Sequence, residues 1–174
     1  MKSRTFRPGW AILVAVLLFL GLKAFVLDVA VVDGRSMKPV LESGSLVLVL
    51  RFAYGIRRPW GSGYLLCWGA PRRGDIVAAA SPRDGLAVVK RVAAAGPLKL
   101  SVAAGHLVGP GLDAPLSEDQ AMQLADGVVL RADAFYLLGD NPPESIDSRD
   151  YGAVPIEAIS GRVLIFDSRA PGHE

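Results

Sequence analysis

At 174 residues and 18.4 kDa, the chain has room for one compact domain and an appendage, not for two globular domains. Hydrophobic residues make up 51%, charged residues 21%, and mean hydropathy is +0.35, which excludes a disordered or acidic-tail protein. A net charge of +2 is too small to argue for a nucleic-acid partner. The single cysteine, Cys67, leaves no internal disulfide and no Cys-rich zinc site. Only His106 and His173 are present, so a Ser-His-Asp hydrolase or a histidine-built metal centre is poorly supplied. Any chemistry must rest on other residues, and no metal or cofactor is expected.

The first nine residues carry Lys2, Arg4 and Arg7 and no acid. From Trp10 to Leu27 run eighteen residues interrupted only by Lys23. That is the short end of what crosses a bilayer core, and Lys23 lies where its stem can reach the interface. A cleaved signal peptide has the same layout, but the pairs Leu22/Ala24 and Asp28/Ala30 do not supply two small residues before a cut. The expectation is a basic cytoplasmic segment at 1–9, a transmembrane signal anchor at 10–27, and an extracytoplasmic domain at 28–174.

Beyond the anchor, short runs rich in Val, Leu and Ile alternate with turn compositions. Residues 29–32, 45–51, 75–80, 86–93, 98–103, 135–138 and 162–166 read as strands. Turn signals such as Pro-Arg-Asp-Gly and Gly-Asp-Asn-Pro-Pro separate them. Helical periodicity is confined to one short candidate at 117–125. The pattern predicts a mainly β domain with long loops at 52–73 and 104–127. The first loop holds Tyr54, Trp60, Tyr64 and Trp68 beside Arg57 and Arg58, a mixture that suits a membrane interface and equally suits packing beneath a loop.

Three segments carry candidate chemistry. In Gly34-Arg35-Ser36-Met37-Lys38-Pro39-Val40-Leu41 a serine follows a strand, with glycine and proline restricting the turn around it. In Leu86-Ala87-Val88-Val89-Lys90-Arg91-Val92, Lys90 shares strand parity with Leu86, Val88 and Val92. A lysine on an apolar face is either ion-paired, snorkelling, or desolvated into a general base; neutrality near pH 7 needs a shift of roughly 3 units, about 4 kcal/mol. The segment 139–152 packs hydroxyls, carboxylates and a guanidinium into one polar loop. There Asp147 and Arg149 can pair, and Ser145 or Ser148 can orient a neighbour, although an ordinary capped turn has the same composition.

In their order these segments resemble bacterial type I signal peptidases. The resemblance rests on Gly-x-Ser-Met-x-Pro-x-Leu, then Arg-Gly-Asp-Ile-Val at 73–77, then Val-Lys-Arg-Val at 89–92, then the long Gly-Asp-Asn motif at 139–154. Phe52-Ala53-Tyr54-Gly55-Ile56-Arg57-Arg58-Pro59 also looks like a segment of that family. The resemblance implies an antiparallel-sheet, signal-peptidase-like catalytic domain on one N-terminal transmembrane helix in the cytoplasmic membrane. It implies Ser36 as nucleophile and Lys90 as general base, with the Ser36 backbone N–H stabilising the oxyanion. Ser145 would orient the lysine, supported by the Asp147–Arg149 salt bridge. Val32, Met37 and Val88 would line a pocket for small side chains, and the partners would be preprotein signal peptides and the lipid bilayer. The chain departs from the family in three places: Gly34 stands where some members carry a serine, Ala93-Ala94-Ala95-Gly96-Pro97-Leu98 replaces a Gly-x-Pro-Gly-Asp turn, and Pro142 replaces an arginine. Two other functions remain open, a peptidase dedicated to a pilin or conjugation-system precursor and an inactive peptide-binding module.

Overall fold

The computed structural model describes residues 8–58 and 63–165. Helix α1 spans Pro8–Val26, and at 1.5 Å per residue its 19 residues reach about 28 Å, just under the thickness of a bilayer core. Among the described residues no helix is long and apolar enough to cross a membrane. The basic residues 1–7 lie outside the described residues.

The chain then lays down β1 (Leu27–Val31), β2 (Leu46–Leu50), β3 (Gly55–Arg57), β4 (Tyr64–Cys67), β5 (Ile76–Ala80), β6 (Ala87–Ala95), β7 (Leu98–Ala103), β8 (His106–Gly109) and β9 (Leu112–Pro115). After the short helix α2 (Glu118–Gln123) come β10 (Val128–Leu130), β11 (Ala134–Leu138), the one-turn helix α3 (Ser148–Tyr151), β12 (Val154–Pro155) and β13 (Ile159–Ile165). Seven strands form one antiparallel sheet in the order β1-β2-β13-β5-β6-β11-β12. A second sheet runs β10-β7-β8-β9, and β3 and β4 pair as a separate hairpin. The fold is mainly β and antiparallel, as the sequence predicts.

Alternation decides which side chains enter the core. In β2, Val47 and Val49 are buried while Leu46 is exposed. The run of β11 is continuously apolar because it is covered on both faces: Phe135 and Leu137 join a cluster with Val77, Val92 and Ile159, whereas Tyr136 joins Leu100, Leu107 and Leu130. The helix expected at 117–125 is α2, opened by a reciprocal capping box between Ser117 and Gln120.

The long loops expected at 52–73 and 104–127 differ from the structure. The first contains the β3–β4 hairpin and the second the β8–β9 hairpin, strands of three or four residues that are too short for alternation to stand out in the sequence. The altered segment after Val92 is also resolved into a purpose. Strand β6 continues to Ala95, and Gly96-Pro97 carries the chain from the large sheet into β7 of the small one, with the Gly96 N–H bonded to the Ala134 carbonyl at 2.9 Å.

One feature of pairing positions the site. Strand β6 pairs with β5 through residues 87–91 but with β11 only through residues 91–95. Residues 87–90 therefore have an open edge on the β11 side. Strand β1, at the end of the sheet, has another.

Candidate active site

The chain leaves β1 through Val32, whose N–H and carbonyl are both bonded to the 44–45 turn. Gly34 turns it with φ of +90°, a conformation that suits a residue without Cβ. A helical turn follows, closed by Lys38 N–H to the Arg35 carbonyl at 3.1 Å and Leu41 N–H to the Met37 carbonyl at 2.8 Å. Met37 and Leu41 are buried and pin this turn, leaving Ser36 half-buried between exposed Arg35 and the core. The backbone is also held from the other side: the Ser36 carbonyl accepts the Asn141 N–H at 2.9 Å, and the Arg35 carbonyl accepts Asn141 Nδ2 at 3.1 Å.

Lys90 is 4% exposed and faces the same side of β6 as buried Val92, as its parity predicts. Its Nζ donates to Ser145 Oγ at 3.1 Å, and Ser145 Oγ donates to Asp147 Oδ2 at 2.7 Å. The Asp147 carboxylate also accepts Arg149 Nε at 2.9 Å, Arg149 Nη2 at 2.8 Å and the Gly139 N–H at 3.0 Å. Arg149 donates further to the carbonyls of Pro115 and Pro142. Ser148 Oγ accepts the Leu137 N–H, which ties α3 to β11. The 139–152 segment is thus more than a capped turn; it closes a buried relay from Lys90 to Arg149.

Burial pushes the Lys90 amine below its ordinary range, opposed by the Asp147 charge and assisted by that of Arg149. Burial alone would raise Asp147, but Arg149, the Gly139 N–H and the Ser145 hydroxyl outweigh it and hold the carboxyl below its usual range. The consequence for Lys90 is geometric. Ser145 spends its one proton on Asp147, so its oxygen must accept from Lys90. A neutral Lys90 then keeps its lone pair free for another partner.

Gly139 is where the two serines meet. A Cβ at this position would collide with both Ser145 Oγ and the Ser36 carbonyl oxygen, so only glycine permits the approach. No hydrogen bond joins Ser36 Oγ to Lys90 Nζ among the described residues. Val32 and Met37 lie in one apolar cluster with Leu41, against which Val89 and Ala30 pack. Val88 is separated from them and packs against the cluster of Val77 and Val92, because successive side chains of β6 face opposite ways.

Sequence reasoning missed the pairing of Arg91 with Asp140. Arg91 Nε and Nη2 grip the two carboxylate oxygens at 2.7 and 2.6 Å, and Nη1 reaches the Gly74 carbonyl. Both residues lie inside the motifs already singled out, but nothing in a single sequence pairs positions 49 residues apart. Among the described residues no group of histidine, cysteine, aspartate and glutamate is arranged to hold a metal ion.

A half-buried serine and a desolvated lysine, both met by the 139–145 segment, are groups that a serine-type hydrolase can use. The family described as signal peptidase, peptidase S26, matches residues 5–166. Signal peptidase I of Bacillus caldolyticus is 31% identical over 172 residues, covering 88% of this chain and 86% of the relative. Signal peptidase I of Leptolyngbya laminosa is 29% identical over 163 residues, covering 87% and 73%. A crystal structure of a signal peptidase I from Enterococcus faecalis V583 aligns at 26% identity with a TM-score of 0.43, covering 55% of this chain and 98% of that one. The chain belongs to the signal peptidase family, peptidase S26, and is an enzyme of the signal peptidase I type.

Proposed function

We propose that the protein removes signal peptides from exported preproteins, with Ser36 as nucleophile and Lys90 as general base. Membership of the family supports the reaction, and the Lys90–Ser145–Asp147–Arg149 relay beside Ser36 is the observation that supports these roles. Neutral Lys90 takes the Ser36 hydroxyl proton as Oγ bonds to the scissile carbonyl carbon. The oxyanion is stabilised by the Ser36 backbone N–H. Collapse breaks the C–N bond, and the Lys90 ammonium returns the proton to the leaving amine. Water, deprotonated by the again neutral Lys90, then hydrolyses the ester to Ser36 and frees the signal peptide.

Substrate is proposed to lie extended along the open edges of β1 and of residues 87–90, so that alternate side chains reach one face. The cluster around Val32 and Met37, completed by Val89 in place of Val88, would admit small residues at the first and third positions before the cut. We assign α1 as a signal anchor with residues 1–9 cytoplasmic and 28–174 outside. What supports this is the sequence: the basic flank at 1–9 and the apolar run at 10–27.

The test is incubation of the detergent-solubilised protein with preproteins beside Ser36→Ala and Lys90→Ala. Native protein is expected to cut after small-x-small sites, and each variant to lose at least about 10³-fold in kcat with its fold intact. Substantial activity in either variant removes that residue from its role.

A further inference from the structure

A cavity of about 580 Å³ opens just beyond Lys90, within the size range of peptide and small-ligand sites. Its walls are residues 91–93 of β6, the end of β11 with Gly139 and Asp140, strand β9, and the turn at Arg73 and Gly74. Strand direction gives this position a meaning. Both β1 and β6 run toward the catalytic pair, so substrate residues before the cut lie beside 87–89. The chain after the cut must continue past Lys90, but there β11 takes over the edge of β6. It is deflected off the sheet at Gly139 and Asp140, which form the near wall of the cavity.

The charges along this path are mostly committed. Arg91 is chelated by Asp140, and Arg149 is spent on Asp147 and two carbonyls. Asp113 sits 2.6 Å from His106 Nδ1. Arg73 is different. It is exposed and makes no salt bridge among the described residues, and its guanidinium lies against Gly111, where any side chain would collide with it. Among the described residues the cavity therefore offers one exposed cation with no ion-pair partner to a passing polypeptide.

We propose that this cavity receives the first residues of the mature chain and that Arg73 selects for an acidic side chain among them. The inference rests on the cleavage reading above and adds a preference on the far side of the scissile bond. An exposed Arg–carboxylate contact is a small effect, so Asp over Lys at the responsive position should be worth about fivefold to tenfold in kcat/KM.

The experiment uses the full-length enzyme in detergent and matched preproteins carrying Asp, Asn or Lys at the second, third or fourth position after the cut. The expected order at one of these positions is Asp over Asn over Lys, narrowed by added salt. Arg73→Gln should abolish the preference and Arg73→Glu should reverse it, with thermal unfolding of both variants matching the native protein to show an intact fold. Equal kcat/KM for Asp and Lys at all three positions, or an Asp preference that survives Arg73→Glu, overturns the proposal while leaving the cleavage reading in place. Failure of the native enzyme to cut any of these substrates overturns the cleavage reading, and the Arg73 assignment falls with it.

Discussion

Lys90 and Arg91 stand side by side in β6 and point to opposite faces of the sheet. The fold treats their charges in opposite ways. Lys90 is buried, meets a hydroxyl rather than a carboxylate, and is pushed toward the neutral amine. Arg91 has a third of its side chain exposed, is clasped by both oxygens of Asp140, and is held still more firmly protonated. The period of two in a strand separates these environments by one residue. Asp147 lies close enough to oppose the shift of Lys90, yet its oxygens are filled by Arg149, Ser145 and backbone N–H groups. The relay thus spends the negative charge before it reaches the amine. A carboxylate is required to hold Ser145, but it is kept from acting as a full counter-ion to the base.

The largest expected effect comes from breaking the buried end of this comparison. Asp147→Ala strands Arg149, which is 5% exposed, and leaves Ser145 without its acceptor. A loss of about 3–5 kcal/mol is expected in denaturant unfolding, together with loss of cleavage. Its pH dependence has a definite sign. The folded pKa of Asp147 lies below the unfolded value, so its contribution is present above pH 3.8 and disappears as pH falls through the folded pKa. The native protein should therefore lose its advantage over Asp147→Ala in acid.

Lys90→Met should act in the opposite direction on stability while abolishing activity. Because the folded pKa of Lys90 is lowered, the penalty for burying its charge is complete below that pKa and fades as pH rises toward 10.5. The variant should be more stable by on the order of 1 kcal/mol at mildly acid pH, with the gap closing in alkali. On the other face, Arg91→Gln removes a partly exposed pair and should cost only about 1 kcal/mol, with a severalfold fall in kcat through the loosened 139–141 segment that carries the Ser36 carbonyl. A cost for Arg91→Gln equal to that of Asp147→Ala would erase the distinction between the two faces.

Local patterns account for what was legible in the sequence. The parity of Lys90 puts it on the apolar side of its strand, and the short helical candidate at 117–125 contains α2. Valine-rich runs located the long strands of the large sheet to within a few residues, though β13 starts at Ile159, three residues before the apolar run at 162–166. Contacts made across the fold were not legible. The approach of Ser145 to Lys90 across 55 residues is expected only through the family resemblance, and the grip of Asp140 on Arg91 across 49 is not expected at all, because nothing local reports either. The separation of Val88 from Val32 and Met37 depends on which of two clusters each face of β6 covers, which strand parity cannot assign without the neighbouring strands. The β3–β4 and β8–β9 hairpins escaped because so few residues carry their alternation, and their stability comes from pairing rather than from propensity.

The claim that the fold makes Lys90 a base is tested most directly by the pH dependence of kcat/KM for preprotein cleavage, with chemistry rate-limiting. The account predicts a rate that rises with pH through a single ionisation well below 10.5, as Lys90 loses its proton in the free enzyme. A profile that is flat from mildly acid to alkaline pH, or one that breaks only at the ordinary pKa of lysine, would contradict it.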